Sequence, residues 1–139
     1  MTQINYKSGY KYQLASLYQI QTNLTPATDI NSPSGFIQMT TAGLLTIARH
    51  YAWDGPSGPT IDTANFMRGS LVHDAVYQLI REGSLEEHRH RDKADRLLQQ
   101  ICIADGMSRI RAWWVYQGLK IGGGAAADPD NLKQVITAP

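Results

Sequence analysis

The run Trp53-Asp54-Gly55-Pro56-Ser57-Gly58-Pro59-Thr60 divides the chain into two parts whose residue patterns call for different secondary structure. Its two glycines and two prolines predict a structured loop, since they favour turns and break both helix and strand. Ahead of it the chain is rich in Tyr, Thr, Ile and Gln, with breakers at Pro26, at Asn31 to Pro33 with Gly35, and at Ala42-Gly43, a pattern of short strands. Phe36 to Thr40 and Leu44 to Tyr51, joined by a glycine-containing turn, read as a hairpin. Beyond the loop Phe66, Met67, Leu71, Ala75 and Leu79 recur at three- and four-residue steps. They predict a helix with Asp62 or Thr63 as N-cap and Gly83 as stop. Ser84 to Glu87 fits a capping box opening a second helix with the stripe Ala94, Leu97, Leu98, Ile101 and Cys102, ending at Gly106. Ile110, Trp113, Trp114 and Leu119 mark a third, shorter helix from near Ser108. Strands first and helices afterwards predict an α+β fold, an N-terminal antiparallel sheet with hairpins packed on two or three helices, the first two antiparallel.

At 139 residues the chain suits a single domain, drawn here over 1–121, with Gly122-Gly123-Gly124 and Ala125 to Ala127 opening a flexible tail over 122–139. Only Lys7, Lys11, Asp29, Arg49 and Asp54 are charged through Thr60, and the whole chain carries 13 Lys and Arg against 12 Asp and Glu. So balanced a charge gives no basis for binding a phosphate backbone, and no nucleic-acid partner is predicted. Cys102 has no second cysteine to pair with, which excludes an intramolecular disulfide or a multi-cysteine zinc site and fits a reducing compartment. Met1 to Tyr18 lacks an apolar core and no window approaches 18 apolar residues, so neither a signal peptide nor a transmembrane segment is expected.

Chemistry concentrates at His73-Asp74 and Tyr77. On a helix His73 and Tyr77, four apart, share a face, while Asp74 is turned about 100° away. An imidazole over a water beside a carboxylate that binds a cation is what metal-assisted hydrolysis requires; a histidine held by a tyrosine at a half-buried interface is the alternative. Upstream, Gly55 to Pro59 either turn carbonyls toward one point, as hard cations such as Ca²⁺ prefer, or form a tight turn into the helix. Downstream, an antiparallel return brings Asp95, or failing that Asp92, beside His73 to fix its tautomer, unless both are surface acids neutralised by Arg91 and Arg96. Asp95 is favoured because Ala94, Leu98, Ile101 and Cys102 put it nearest the apolar face. His88-Arg89-His90-Arg91 reads as a solvated, salt-bridged connection, as a pair of metal ligands on a strand-like loop, or as an anion-binding basic knot. Trp113-Trp114 with Tyr116 either offer stacking faces for bases or sugars or, the simpler expectation, put one ring in the core and the other at its boundary.

Taken in order, Gly55 to Gly58, then His73-Asp74-Ala75-Val76-Tyr77, then Ala94-Asp95 on a following helix resemble the phospholipase A₂ superfamily, with its glycine-rich calcium loop, HD-x-x-Y helix and second aspartate. From roughly Tyr10 to Gly122, the strand-rich start, the loop Tyr51 to Asp62, the same motifs and the segment Arg111 to Gly118 also resemble a family of small bacteriophage proteins, domain-of-unknown-function family 1353. The first resemblance implies that His73 activates water, that Asp95 and Tyr77 orient it, and that Asp74 with the carbonyls near Trp53, Gly55 and Ser57 holds Ca²⁺. Together they imply a phage-associated, cation-assisted ester hydrolase acting on lipid, in the cytoplasm of a bacterial host or in the phage particle. The rival expectation is a non-catalytic virion or assembly protein, partnered by other phage structural proteins, in which the His, Asp and Tyr cluster only joins two helices.

Overall fold

A computed structural model describes residues 6–7, 12–53 and 64–127. Its strands are β1 (Tyr6–Lys7), β2 (Tyr12–Leu14), β3 (Tyr18–Gln21), β4 (Ile30–Asn31), β5 (Ile37–Met39), β6 (Leu44–Ile47) and β7 (Ala52–Trp53). Alternation along the longer ones separates two faces. In β3, β5 and β6, Tyr18, Ile37, Met39, Leu45 and Ile47 are buried, whereas Gln19, Gln21 and Gln38 point outward. That outer face is polar without being charged, and Gln19 bridges to Thr46 across it at 2.9 Å. It accounts for the scarcity of charge in the first part of the chain.

The strands form two antiparallel sheets, ordered β1-β2-β7 and β3-β6-β5-β4. The expected hairpin is β5 with β6, in a register that pairs Ile37 with Ile47 and Met39 with Leu45. Its turn needs Gly43, whose φ is +90° and where a Cβ would lie 2.6 Å from the Thr22 carbonyl oxygen.

Three helices follow: α1 (Ala64–Arg81), α2 (Glu87–Ala104) and α3 (Arg109–Ala127). The α+β class with strands first and helices after is therefore observed. Helix α1 is buried on nearly all sides, with Met67, Leu71, Val72, Ala75, Val76, Leu79 and Ile80 in the main core beside the sheet residues. A second apolar cluster joins Phe66 of α1, Leu98 and Cys102 of α2, and Met107 and Ala112 at the start of α3. Pairing of low α1 numbers with high α2 numbers shows the two helices to be antiparallel: Arg68 meets Asp105, and His73 meets Asp95. Among the described residues no helix is long and apolar enough to cross a membrane.

Several boundaries differ from expectation. Gly83 stops α1 at φ +80°, but Ser84 does not cap α2. The Ser84 and Leu85 N–H groups both donate back to the Leu79 carbonyl, so Ser84 belongs to the end of α1. Glu86 caps instead, its carboxylate accepting from the His88 and Arg89 N–H groups. Trp53, placed in the loop by its neighbours, is strand: Tyr12 pairs with it across β2 and β7. Helix α3 runs through Gly122-Gly123-Gly124 to Ala127, where the sequence predicts the opening of a tail; glycine lowers helix propensity without forbidding the helix, and from Arg109 no proline interrupts the chain before Pro129. The expected caps Asp62 and Thr63 lie outside the described residues, as do 128–139.

Candidate functional site

The close approach of α1 and α2 begins with Gly69, one turn before His73. A Cβ there would sit 2.5 Å from Leu98 Cδ1 and 3.0 Å from Cys102 Sγ, so any larger residue would force these two buried side chains to shift. At the same end Arg68 forms a two-pronged ion pair with Asp105, its Nε donating to Oδ2 at 2.9 Å and its Nη2 to Oδ1 at 2.9 Å. Its Nη1 donates to the Tyr18 hydroxyl at 2.9 Å, tying strand β3 into the same joint.

One turn along, the chemistry-bearing residues meet. His73 Nε2 donates to Asp95 Oδ1 at 2.7 Å and the Tyr77 hydroxyl donates to the same oxygen at 2.6 Å. Asp95 is 1% exposed, and a carboxylate so buried persists because both donors meet it. The tyrosine ring lies against the imidazole, centroids 4.0 Å apart. With Nε2 carrying the proton toward Asp95, the lone pair of the neutral ring is on Nδ1. Nδ1 faces the side of Asp74, whose Oδ1 is 4.0 Å away. That separation is beyond a hydrogen bond, so Asp74 acts on the ring through its charge. Burial, the largest single influence on His73, pulls its pKa down; Asp74 and Asp95 together outweigh it, and the net displacement is upward from 6.5. Burial and the Asp95 charge also raise the Tyr77 pKa, which keeps that hydroxyl a donor.

Asp74 differs from Asp95 in reaching solvent, its side chain 38% exposed. Its charge is also felt by Tyr51, whose pKa burial has raised, and by Arg81, whose pKa burial lowers. One turn earlier on the same face, Ser70 accepts from the Trp53 indole Nε1 at 3.0 Å and donates onward to the Met67 carbonyl. The strand that leads into the glycine-proline run is thus held against α1 one turn from Asp74. Of the expected cation ligands, Asp74 and Trp53 are described; Gly55 and Ser57 lie outside the described residues. Among the described residues there is no group of three or more His, Cys, Asp or Glu able to hold a metal. Asp74 is a hard oxygen donor suited to Ca²⁺.

The remaining candidates are placed elsewhere. Asp92 accepts from the Tyr116 hydroxyl at 2.5 Å and from Arg96 Nε at 2.8 Å, so it links α2 to α3 and does not serve His73. Those two bonds hold its pKa below the usual carboxylate range. His88 and His90 lie in the first turn of α2, not on a strand-like loop. Two positions apart on a helix they diverge by about 200° and cannot share a metal. His90 is buried and donates Nδ1–H to the Glu86 carbonyl at 2.8 Å. Cys102 is buried, its thiol pushed up to about 12 by burial, which removes it as a nucleophile. Both Trp113 and Trp114 are exposed, so neither ring is in the core.

Sequence reasoning missed Gly69 and the Arg68–Asp105 pair, which set the distance and register between the two helices that carry His73 and Asp95, and Ser70, which accepts from Trp53. The available signal was Gly69-Ser70, small residues one turn before His73-Asp74 in an otherwise bulky apolar helix. No protein-family model, curated protein or solved structure matches this chain, so its functional reading rests on these residues and their geometry.

Proposed function

We propose that this chain is a cation-assisted ester hydrolase of phospholipase A₂-like type, with phospholipid esters as the substrate class and a bacteriophage setting. The observation that carries this reading is the single buried oxygen of Asp95 that accepts from both His73 Nε2 and Tyr77, which leaves Nδ1 as a base next to Asp74. In the neutral ring Nδ1 accepts a proton from a water as its oxygen bonds to the ester carbonyl carbon. The imidazolium so formed is stabilised by Asp95, and it returns the proton to the departing alkoxide as the ester C–O bond breaks, giving acid and alcohol. Asp74, with the carbonyls of Trp53, Gly55 and Ser57, is the set that would hold Ca²⁺. When bound, Ca²⁺ supplies positive charge against the developing oxyanion. Tyr77 fixes the carboxylate that fixes the ring, and so acts as a positioning residue.

The test is release of fatty acid from dispersed phosphatidylglycerol or phosphatidylcholine with Ca²⁺ and with chelator. Release that requires Ca²⁺ and falls by orders of magnitude in His73→Gln is the expected result. A folded parent protein that releases nothing from any phospholipid class overturns the reading.

A second reading, a virion or assembly protein in which the cluster is structural, is favoured by one observation: the same two bonds fasten α1 to α2 through a carboxylate that is itself out of reach of solvent. In that case His73→Gln lowers the melting temperature and no hydrolysis accompanies the parent.

A further inference from the structure

The exposed side of α3 carries an unusual pairing of residues. Ile110, Trp113 and Trp114 are 75%, 47% and 65% exposed, and at spacings of three and four they form one stripe. On the opposite side of the same helix Ala112 and Tyr116 are buried, with Val115 and Leu119 packed on the second apolar cluster. The stripe is therefore not the rim of the core; it points directly away from it. Cations border it on both edges. By helical spacing Arg109 and Lys120 fall on one edge and Arg111 on the other. Helix α3 holds these three of the chain's 13 Lys and Arg and none of its 12 Asp and Glu.

We infer that this face of α3 docks on an anionic phospholipid surface, with Ile110, Trp113 and Trp114 entering the headgroup boundary and Arg109, Arg111 and Lys120 meeting lipid phosphates. An apolar stripe with indoles, flanked by cations on a helix lying parallel to the surface, is the composition that interfacial helices use. A second copy of the chain is disfavoured by charge, because packing α3 on α3 sets cations against cations with no acid on either helix. A nucleic acid is disfavoured by shape. The two indoles meet edge to face, centroids 5.0 Å apart and planes at 79°, and an aliphatic side chain completes the stripe, so there is no row of parallel stacking faces. The inference does not depend on the hydrolase reading, since no residue of the His73 site takes part in it.

The full chain is mixed with vesicles of phosphatidylcholine alone and with vesicles containing one-third phosphatidylglycerol, and binding is followed by sedimentation and tryptophan emission. Trp53 is buried and already in an apolar setting, so a blue shift reports Trp113 and Trp114. Binding to the anionic vesicles with a blue shift, weakened by salt, is expected. The double variant Ile110→Ser, Trp114→Ser should bind about tenfold or more weakly, from loss of apolar contact, with an unchanged melting curve because both side chains are exposed. Three outcomes overturn the inference: a folded protein that ignores anionic vesicles, a concentration-dependent dimer abolished by the same double variant, or tighter binding to single-stranded oligonucleotide than to lipid. Hydrolysis of a short-chain ester below its aggregation threshold is read separately and needs no surface, so failure of docking and failure of the site are told apart.

Discussion

Asp95→Asn separates chemistry from architecture more sharply than any other single change. Both hydrogen bonds end on Oδ1, so an asparagine whose carbonyl oxygen takes that place still accepts from His73 and from Tyr77. What is lost is the charge. Bonds to a charged group contribute about 1.5–3 kcal/mol and neutral ones about 0.5–1.5, so the exchange removes about 2–3 kcal/mol over the two bonds. Against that stands the relief of a buried carboxylate charge, whose desolvation costs several kcal/mol per ion. The opposing effects leave a net change within about 2 kcal/mol, or a melting shift within roughly 8 °C for a domain of this size. Asp95→Ala, by comparison, strands two buried donors at about 1–3 kcal/mol each and should cost about 2–6 kcal/mol.

Under the proposed hydrolase reading, catalysis should respond differently to the same substitution. The charge that stabilises the imidazolium and raises the His73 pKa is gone, so hydrolysis of a soluble short-chain phospholipid should fall by about 10²–10⁴ in kcat, and the pH midpoint of the residual rate should move down. The assay pairs kcat against pH with a thermal melt of the same preparation. Unchanged kcat with an unchanged pH midpoint refutes the dyad. An unfolded Asn variant refutes the claim that one shared oxygen carries the geometry.

The pH dependence of stability follows from the same histidine. Because the folded pKa of His73 lies above its ordinary 6.5, its protonated form contributes stability in full below about 6.5, and that stability is lost as pH rises through the folded value. Urea melts across that window should show the decline, with the hydrolytic rate rising over it, and His73→Gln should flatten both. Ca²⁺ should raise the melting temperature in a dose-dependent way through binding to the folded state, and Asp74→Asn should abolish the rise; a flat titration of the parent removes the cation from the site. Gly69→Ala gains up to about 1 kcal/mol of helix propensity but forces a methyl against Leu98 and Cys102, both buried, at an overpacking cost of about 1–3 kcal/mol. The balance should destabilise by up to about 2 kcal/mol and lower the hydrolytic rate, since Leu98 is one turn from Asp95; a more stable and equally active variant refutes the close-packing argument.

What was legible in the sequence had a common physical basis. The positions of His73 and Tyr77 relative to each other follow from the period of one helix. The choice of Asp95 over Asp92 follows from which of the two sits with Ala94 and Leu98 on the apolar stripe. The β5–β6 hairpin was equally legible because its two strands alternate and are joined by a turn of positive-φ glycine. β2 and β3 are no shorter than these two, but β3 pairs with β6 across no local turn, and β2 finds its partner β7 some 40 residues away. Trp53 consequently reads as loop from its neighbours and becomes strand only through a partner that no local pattern names.

The second capping signal failed for a related reason. Ser84 has the right residue type and spacing, but the left-handed turn at Gly83 draws both the Ser84 and the Leu85 N–H back to the Leu79 carbonyl, so these residues close α1 and the cap falls to Glu86. A local motif is thus overruled by the closing of the preceding helix. Competition of the same kind decides α3. Ala112, Val115, Tyr116 and Leu119 claim its inner side, and Tyr116 does so with a hydroxyl that finds Asp92. Once the tyrosine is inside, helical geometry turns Trp113 about 60° past the outward normal on one side and Trp114 about 40° on the other, so that neither ring can reach the core and both are left facing solvent.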